Sequence, residues 1–97
     1  MAEHAHVIRV AKYRPQPGGD MQLRQALDAL AGGMRGLPGL FGAQVCRVSE
    51  EPDTFALVSR WEREQSMGAT GQAGLKELVD QVAGLALDQR IEHFIAQ

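Results

Sequence analysis

Apolar positions along the chain change from a two-residue to a helical period and back, which divides the sequence into strands and helices. His6 to Tyr13 is rich in Val, Ile and aromatic residues and ends before Pro15 and the pair Gly18 and Gly19. This composition is typical of a strand closed by a loop. From Asp20, a suitable capping residue, large apolar side chains recur at steps of three and four, which predicts a helix: Leu23, Leu27, Leu30, Met34 and Leu37.

The middle of the chain predicts a β-hairpin. Gly36, Pro38 and Gly39 end the first helix, and the segments Phe41 to Val48 and Thr54 to Trp61 are predicted strands. Five residues with turn chemistry separate these strands, so the two should pair directly: Ser49, Glu50, Glu51, Pro52 and Asp53.

The last third of the chain predicts a second helix and a fourth strand. A helical turn around Met67 leads into Gly68 to Gly74, a glycine-spaced connecting segment. Helical spacing then returns in the residues Leu75, Leu78, Val79, Val82 and Leu85. Arg90 to Ile95 is the fourth predicted strand.

The predicted order βαββαβ is that of a ferredoxin-like α+β fold. Such a fold has a four-stranded antiparallel sheet with both helices on one face. The 97 residues leave room for one core. We therefore expect residues 1–97 to form a single domain.

Both faces of the predicted sheet carry apolar residues, which indicates a partner. Residues 55–58 are apolar without interruption, and the pairs Val7–Ile8 and Phe94–Ile95 repeat this pattern. A sheet with one face in water should alternate instead. We expect a homodimer packed sheet to sheet. The alternative is that these runs are the buried centre of a small monomeric sheet.

Composition excludes several classes of partner. The net charge is −2, so no basic surplus is available for nucleic acid, and no apolar stretch has the length of a membrane span. The first ten residues lack the basic and apolar regions of a secretory signal. A lone Cys46 is consistent with a reducing compartment and an inert core thiol. We expect a cytoplasmic protein that contacts neither nucleic acid nor membrane.

The segment from Gly36 to Trp61 resembles the antibiotic biosynthesis monooxygenase family of dimeric α/β barrels. The resemblance lies in a Leu-Pro-Gly turn at residues 37–39, an acidic hairpin turn at residues 50–53, and the pair Trp61–Glu62. It implies paired ferredoxin-like subunits, each with a small apolar pocket between its sheet and its helices. Known members include cofactor-free oxygenases of polycyclic quinone precursors, quinol monooxygenases and haem-degrading enzymes.

The resemblance implies that Trp61 lines the pocket. Trp61 has the same strand parity as Phe55, Leu57 and Ser59, so these side chains should project to one face. The alternative is a Trp that serves packing alone. Cofactor-free members also use an Asn four residues before this Trp and a Tyr six residues after it, where this chain has Leu57 and Met67. The His and Asn that haem-degrading members use are missing from the corresponding segments.

The leading hypothesis is therefore a cofactor-independent monooxygenase acting on an apolar aromatic or quinol-type molecule. Its catalytic candidates are Trp61, Tyr13 and Ser59, because such chemistry needs donors that hold a developing phenolate. The substrate pocket is expected to include Phe55, Leu57 and Met67, and no cofactor is expected. The alternative is a non-catalytic ligand-binding or structural dimer.

Two further sets of polar residues have open interpretations. His4, His6 and His93 could approach one another if the fourth strand pairs with the first, and three imidazoles can bind a metal ion. The stronger expectation is that no metal site forms. Arg9 and Arg60 each follow a valine by two residues, so each charge lies in an apolar strand face. They either pair with carboxylates such as Glu92 at the dimer contact or bind an anionic ligand.

Overall fold

The computed structural model describes residues 6–71 and 73–97, and these form one sheet with two α-helices on one side. The elements are β1 (Val7–Pro15), α1 (Asp20–Met34), β2 (Leu40–Val48), β3 (Glu51–Trp61), a 3-10 helix (Glu64–Gly71), α2 (Ala73–Leu85) and β4 (Ala86–Ile95). The strand order is β2-β3-β1-β4 with every pair antiparallel. The predicted βαββαβ ferredoxin-like fold is confirmed.

Several element boundaries differ from the prediction, among them the end of α1, the start of β3 at Glu51 instead of Thr54, and the start of β4. Helix α1 ends at Met34, and Leu37 lies in the turn that follows, where its N–H donates to the Met34 carbonyl oxygen at 3.1 Å. Arg35 leaves the helical conformation, with ψ of 134°, and Gly36, with φ of +86°, completes the turn to Leu37. Strand β4 begins at Ala86, directly after Leu85 and four residues before the expected Arg90, because the strand continues its pairing along the end of β1.

The hydrophobic core lies between the sheet and α1, with α2 packed alongside. Helix α1 contributes four residues of the predicted stripe to this core, together with Ala26: Leu23, Ala26, Leu27, Leu30 and Met34. The two helices approach closely at Gly33, where a Cβ would lie 2.9 Å from Leu78 Cδ1. Leu75 and Val82 of α2 are buried in the same core.

The opposite side of the sheet, which we call the open face, is not covered by any helix of residues 6–71 and 73–97. Its apolar side chains include Ile8, Val10, Val58 and Phe94, and Phe94 is 48% exposed. Beyond these apolar residues, one end of the open face carries three cross-strand ion pairs: Lys12–Glu92, Arg14–Asp88 and Arg90–Glu51. The prediction that both faces of the sheet carry apolar residues is confirmed.

No helix within the described residues has the length and apolar character needed to cross a membrane.

Candidate functional site

The Leu-Pro-Gly turn holds the end of β3 in place. Gly39 has φ of +80°, and its carbonyl oxygen accepts a hydrogen bond from the Glu62 N–H at 2.7 Å. A Cβ at Gly39 would lie 2.7 Å from the Ser66 Cβ, so the turn and the 3-10 helix are in close contact. Two of the sequence motifs therefore meet in space, and together they fix the backbone next to Trp61.

Trp61 and Ser59 form a buried hydrogen-bonded pair. The Trp61 Nε1–H donates to Ser59 Oγ at 2.8 Å, and both residues are 0% exposed. Phe55 and Leu57 lie on the same face of β3 and are also buried, so the expectation that these four side chains share one face is confirmed. The pair satisfies the indole donor inside the core, where an unpaired N–H would be costly.

Tyr13 lies across from Phe55 on the helix side of the sheet. It is 5% exposed, and its backbone is paired with Phe55 of β3 and Gln89 of β4. Burial raises the pKa of the Tyr13 phenol above its ordinary value of 10.0, and the positive charge of Arg9 offsets part of that rise. The hydroxyl is therefore neutral at physiological pH and is available as a hydrogen-bond donor.

Arg9 is on the same side of the sheet as Tyr13. It is opposite Ser59 on β3 and His93 on β4, and residues directly opposite in antiparallel strands project to one face. Glu92 is opposite Val10 on the open face, where its carboxylate lies 3.7 Å from Lys12 Nζ. Within one chain Arg9 and Glu92 therefore do not pair, because the two side chains face opposite sides of the sheet, and pairing with a carboxylate at a dimer contact stays a prediction.

On the helix side of the sheet, the side chains of β4 are exposed. Ile91 and Ile95 are 43% and 51% exposed, and His93 between them is also exposed. They are opposite Ala11, Val7 and Arg9 of β1. We call Ile91, His93 and Ile95 the β4 strip. The sequence analysis missed this surface, although the alternation of the three residues along the strand was a usable signal.

The two described histidines of the metal site considered above, His6 and His93, do not come together. His6 and Arg9 differ in strand parity, so His6 lies on the open face while His93 lies on the helix side. The His6 ring packs edge-on against Phe41, with centroids 5.9 Å apart. His4 lies outside the described residues, and within those residues no group of three metal-binding side chains occurs.

The remaining candidates lie around this core. Met67 is half-buried in the 3-10 helix and packs against the core that contains Trp61. Cys46 and Arg60 face the open side, opposite Ala56 and Ile8.

A cleft of about 460 Å³ opens at the loop end of the sheet, and of the predicted pocket residues Phe55 lines it. Its other charged and apolar lining residues include Arg14, Asp20, Arg47, Asp53 and Leu87.

Comparison with solved structures shows the same fold in distant relatives. A candidate antibiotic biosynthesis monooxygenase from Deinococcus radiodurans superposes with a TM-score of 0.80 at 22% identity, covering 94% of this chain and 92% of that one. One from Nitrosomonas europaea gives 0.85 at 12% identity, covering 96% and 91%. One from Caulobacter crescentus gives 0.83 at 16% identity, covering 97% and 92%. These identities show similarity of fold alone.

No curated protein sequence matches the chain significantly. The sequence profile of the antibiotic biosynthesis monooxygenase family matches residues 6–74, which include β1, the Leu-Pro-Gly turn, the hairpin and the Trp61–Ser59 pair. With more than half of its length matched and the fold in agreement, this chain belongs to the antibiotic biosynthesis monooxygenase family.

Proposed function

We propose that this protein is a cofactor-independent monooxygenase that oxidises an apolar aromatic or quinol-type molecule with O₂. Family membership supports the class of reaction. The observation that carries the proposal is the arrangement on the helix side of the sheet. There a neutral, buried Tyr13 hydroxyl and the His93 imidazole lie on the face that also exposes Ile91 and Ile95.

The chemistry requires proton removal, electron transfer to O₂ and stabilisation of an oxyanion. For an anthrone-type substrate, the ring CH₂ becomes a carbonyl, O₂ supplies that oxygen, and the second oxygen atom leaves as water with the two hydrogens. His93 accepts the first proton, since its imidazole lies on the face that carries the substrate. Tyr13 donates a hydrogen bond to the phenolate oxygen as it develops.

The remaining candidates position the substrate in this proposal. Trp61, fixed by Ser59, is fully buried and supports the helix-side face from inside the core. Phe55, Leu57 and Met67 supply the apolar wall that excludes water. The reaction uses no cofactor, because an anthrone or quinol supplies the electrons itself.

Oxygen uptake by the purified protein tests this proposal. With anthrones and quinols as substrates, we expect uptake above the autoxidation rate, and a fall of about 10²-fold in Tyr13→Phe, which removes one donor. Trp61→Phe should lower the rate with a rise in KM. Gln25→Ala, an exposed change on α1, is the matched control and should leave the rate unchanged. Uptake equal to autoxidation with every substrate would contradict the proposal.

A ligand-binding function without catalysis is the second candidate, and one observation favours it. Ser59 and the Trp61 indole N–H satisfy each other in the core, and both side chains are 0% exposed. Leu57 and Met67 place apolar groups where cofactor-free relatives have polar ones. Tight binding of an anthrone-like phenol without oxygen uptake would support this function over the enzyme.

We also propose that two copies pair through their open faces in the cytoplasm. Ile8, Val10, Val58 and Phe94 leave apolar surface on a side of the sheet with no helix to cover it. Sedimentation should give twice the chain mass at micromolar concentration. Val58→Asp should give the single-chain mass, whereas Val79→Asp on α2 should not. A single-chain mass for the unmodified protein would contradict the pairing.

A further inference from the structure

The charge of Arg9 is not neutralised by any described residue. Lys12, Arg14 and Arg90, which face the open side, each have a carboxylate within ion-pairing distance. Arg9 is half-buried on the other side of the sheet and, among the described residues, forms no ion pair or hydrogen bond. A partly desolvated guanidinium without an anion is unfavourable, so its retention requires an explanation.

The surroundings of Arg9 fit a ligand rather than a structural partner. Ala11, the next residue on this face, is small and fully buried, so no bulky side chain of β1 stands between Arg9 and Tyr13. The positive charge of Arg9 favours the Tyr13 phenolate. On the neighbouring strand β4, His93 faces Arg9 directly. A guanidinium, a phenol and an imidazole therefore lie on one face of the sheet, and together they define a candidate polar site.

An apolar surface adjoins this polar site. Ile91 and Ile95 are on either side of His93 on β4, and both are about half exposed. A small molecule lying along these side chains would have one end next to Arg9. The planar guanidinium matches a carboxylate with two parallel hydrogen bonds, which a single phenolate oxygen cannot accept in the same way.

We infer that Arg9 binds the carboxylate of a substrate or ligand whose apolar ring system lies on the β4 strip. This inference rests on the proposed function for the location of the pocket, and it narrows the substrate class to apolar aromatic carboxylic acids. Arg9 is thus a binding residue that selects acids over neutral analogues.

Calorimetric titration with two matched probes tests the inference. The acid 2-naphthoate and its neutral amide, 2-naphthamide, have the same ring system. The unmodified protein should bind the acid more tightly. Arg9→Met should weaken binding of the acid by about ten- to a hundredfold, the range for a hydrogen-bonded charge, and change that of the amide by less than twofold. Arg9→Lys should restore part of the affinity.

Arg60→Met is the matched control, since Arg60 follows Val58 on β3 but faces the open side. It should leave binding of both probes unchanged. Equal losses for acid and amide in Arg9→Met, no loss for the acid, or no binding of 2-naphthoate to the unmodified protein would each overturn the inference. Selective binding of the acid without oxygen uptake supports the role of Arg9 while contradicting the monooxygenase proposal, so the two failures are distinguishable.

A second measurement checks the geometry without any ligand. The chain has one tyrosine, so the tyrosinate absorbance band reports Tyr13 alone. Arg9→Met should move its titration to higher pH, because the cation that favours the phenolate is gone. Arg60→Met should leave the titration unchanged. An unchanged titration in Arg9→Met would show that Arg9 does not face Tyr13, and it would overturn the inference even if the variant binds weakly.

Discussion

Ser59→Ala isolates the contribution of the hydrogen bond that fixes Trp61. The acceptor lies 2.8 Å from Trp61 Nε1, and both side chains are 0% exposed, so water cannot replace the lost partner. Serine and alanine differ little in volume, so no cavity adds to the loss. Leaving a buried donor unpaired costs about 1–3 kcal/mol, and we expect the free energy of unfolding to fall by that amount.

A double-mutant cycle, measured by urea unfolding with circular dichroism as the probe, provides the check. In the Trp61→Phe background the donor is already absent, so Ser59→Ala should cost little, giving a coupling energy of about 1–3 kcal/mol. Ser49→Ala in the exposed hairpin turn is the control and should stay within about 0.5 kcal/mol of the unmodified protein. An equal cost of Ser59→Ala in both backgrounds would refute the reasoning.

Three other predictions follow from backbone conformation and from titration. Gly39→Ala should lower the free energy of unfolding by more than Gly36→Ala, because a positive φ costs alanine about 1–2 kcal/mol at both positions but only at Gly39 does the new Cβ also clash with a neighbour. Equal losses in urea unfolding would contradict this prediction. Gly32→Ala, with open space around its Cβ, should raise the thermal midpoint more than Gly33→Ala, which must displace a leucine of α2; the reverse order would contradict the packing. The pKa of Tyr13 is raised in the folded state, so the stability that the neutral phenol contributes is complete below pH about 10 and is lost as the pH rises further. In urea unfolding at alkaline pH, the free energy of unfolding of Tyr13→Phe should therefore fall less steeply with pH than that of the unmodified protein. An equal fall in both proteins would contradict the assignment.

The sequence was sufficient to predict the buried strand but not the exposed one. Phe55, Leu57, Ser59 and Trp61 occupy every second position of β3, and this spacing predicts the shared buried face that the structure has. In β4, nearly every side chain is exposed, and the strand follows α2 without a loop. Neither hydrophobic periodicity nor a turn residue marks its first four residues, which explains the late predicted start.

The site residues divide in the same way. Parity alone places Arg9 on one face of β1, but the register between β1 and its two neighbours decides that this face has Ser59 and His93 on it. Register depends on long-range pairing, which periodicity within a segment does not reveal. The placement of Arg9 and Glu92 on opposite faces of one sheet follows from this register, so the sequence alone could not predict it. The separation of His6 from His93 has the same cause.

The direct junction between Leu85 and Ala86 limits how α2 can move. Because no residue separates the helix from the strand, the C-terminal end of α2 is fixed to β4, and β4 is hydrogen-bonded along β1. Any motion that widens the space between α2 and the sheet must therefore pivot about this junction. The helix has 13 residues and is about 20 Å long, so a tilt of about 10° displaces its other end by about 3 Å. Access for a bulky ring would widen from the N-terminal end of α2, with the C-terminal end acting as the fulcrum.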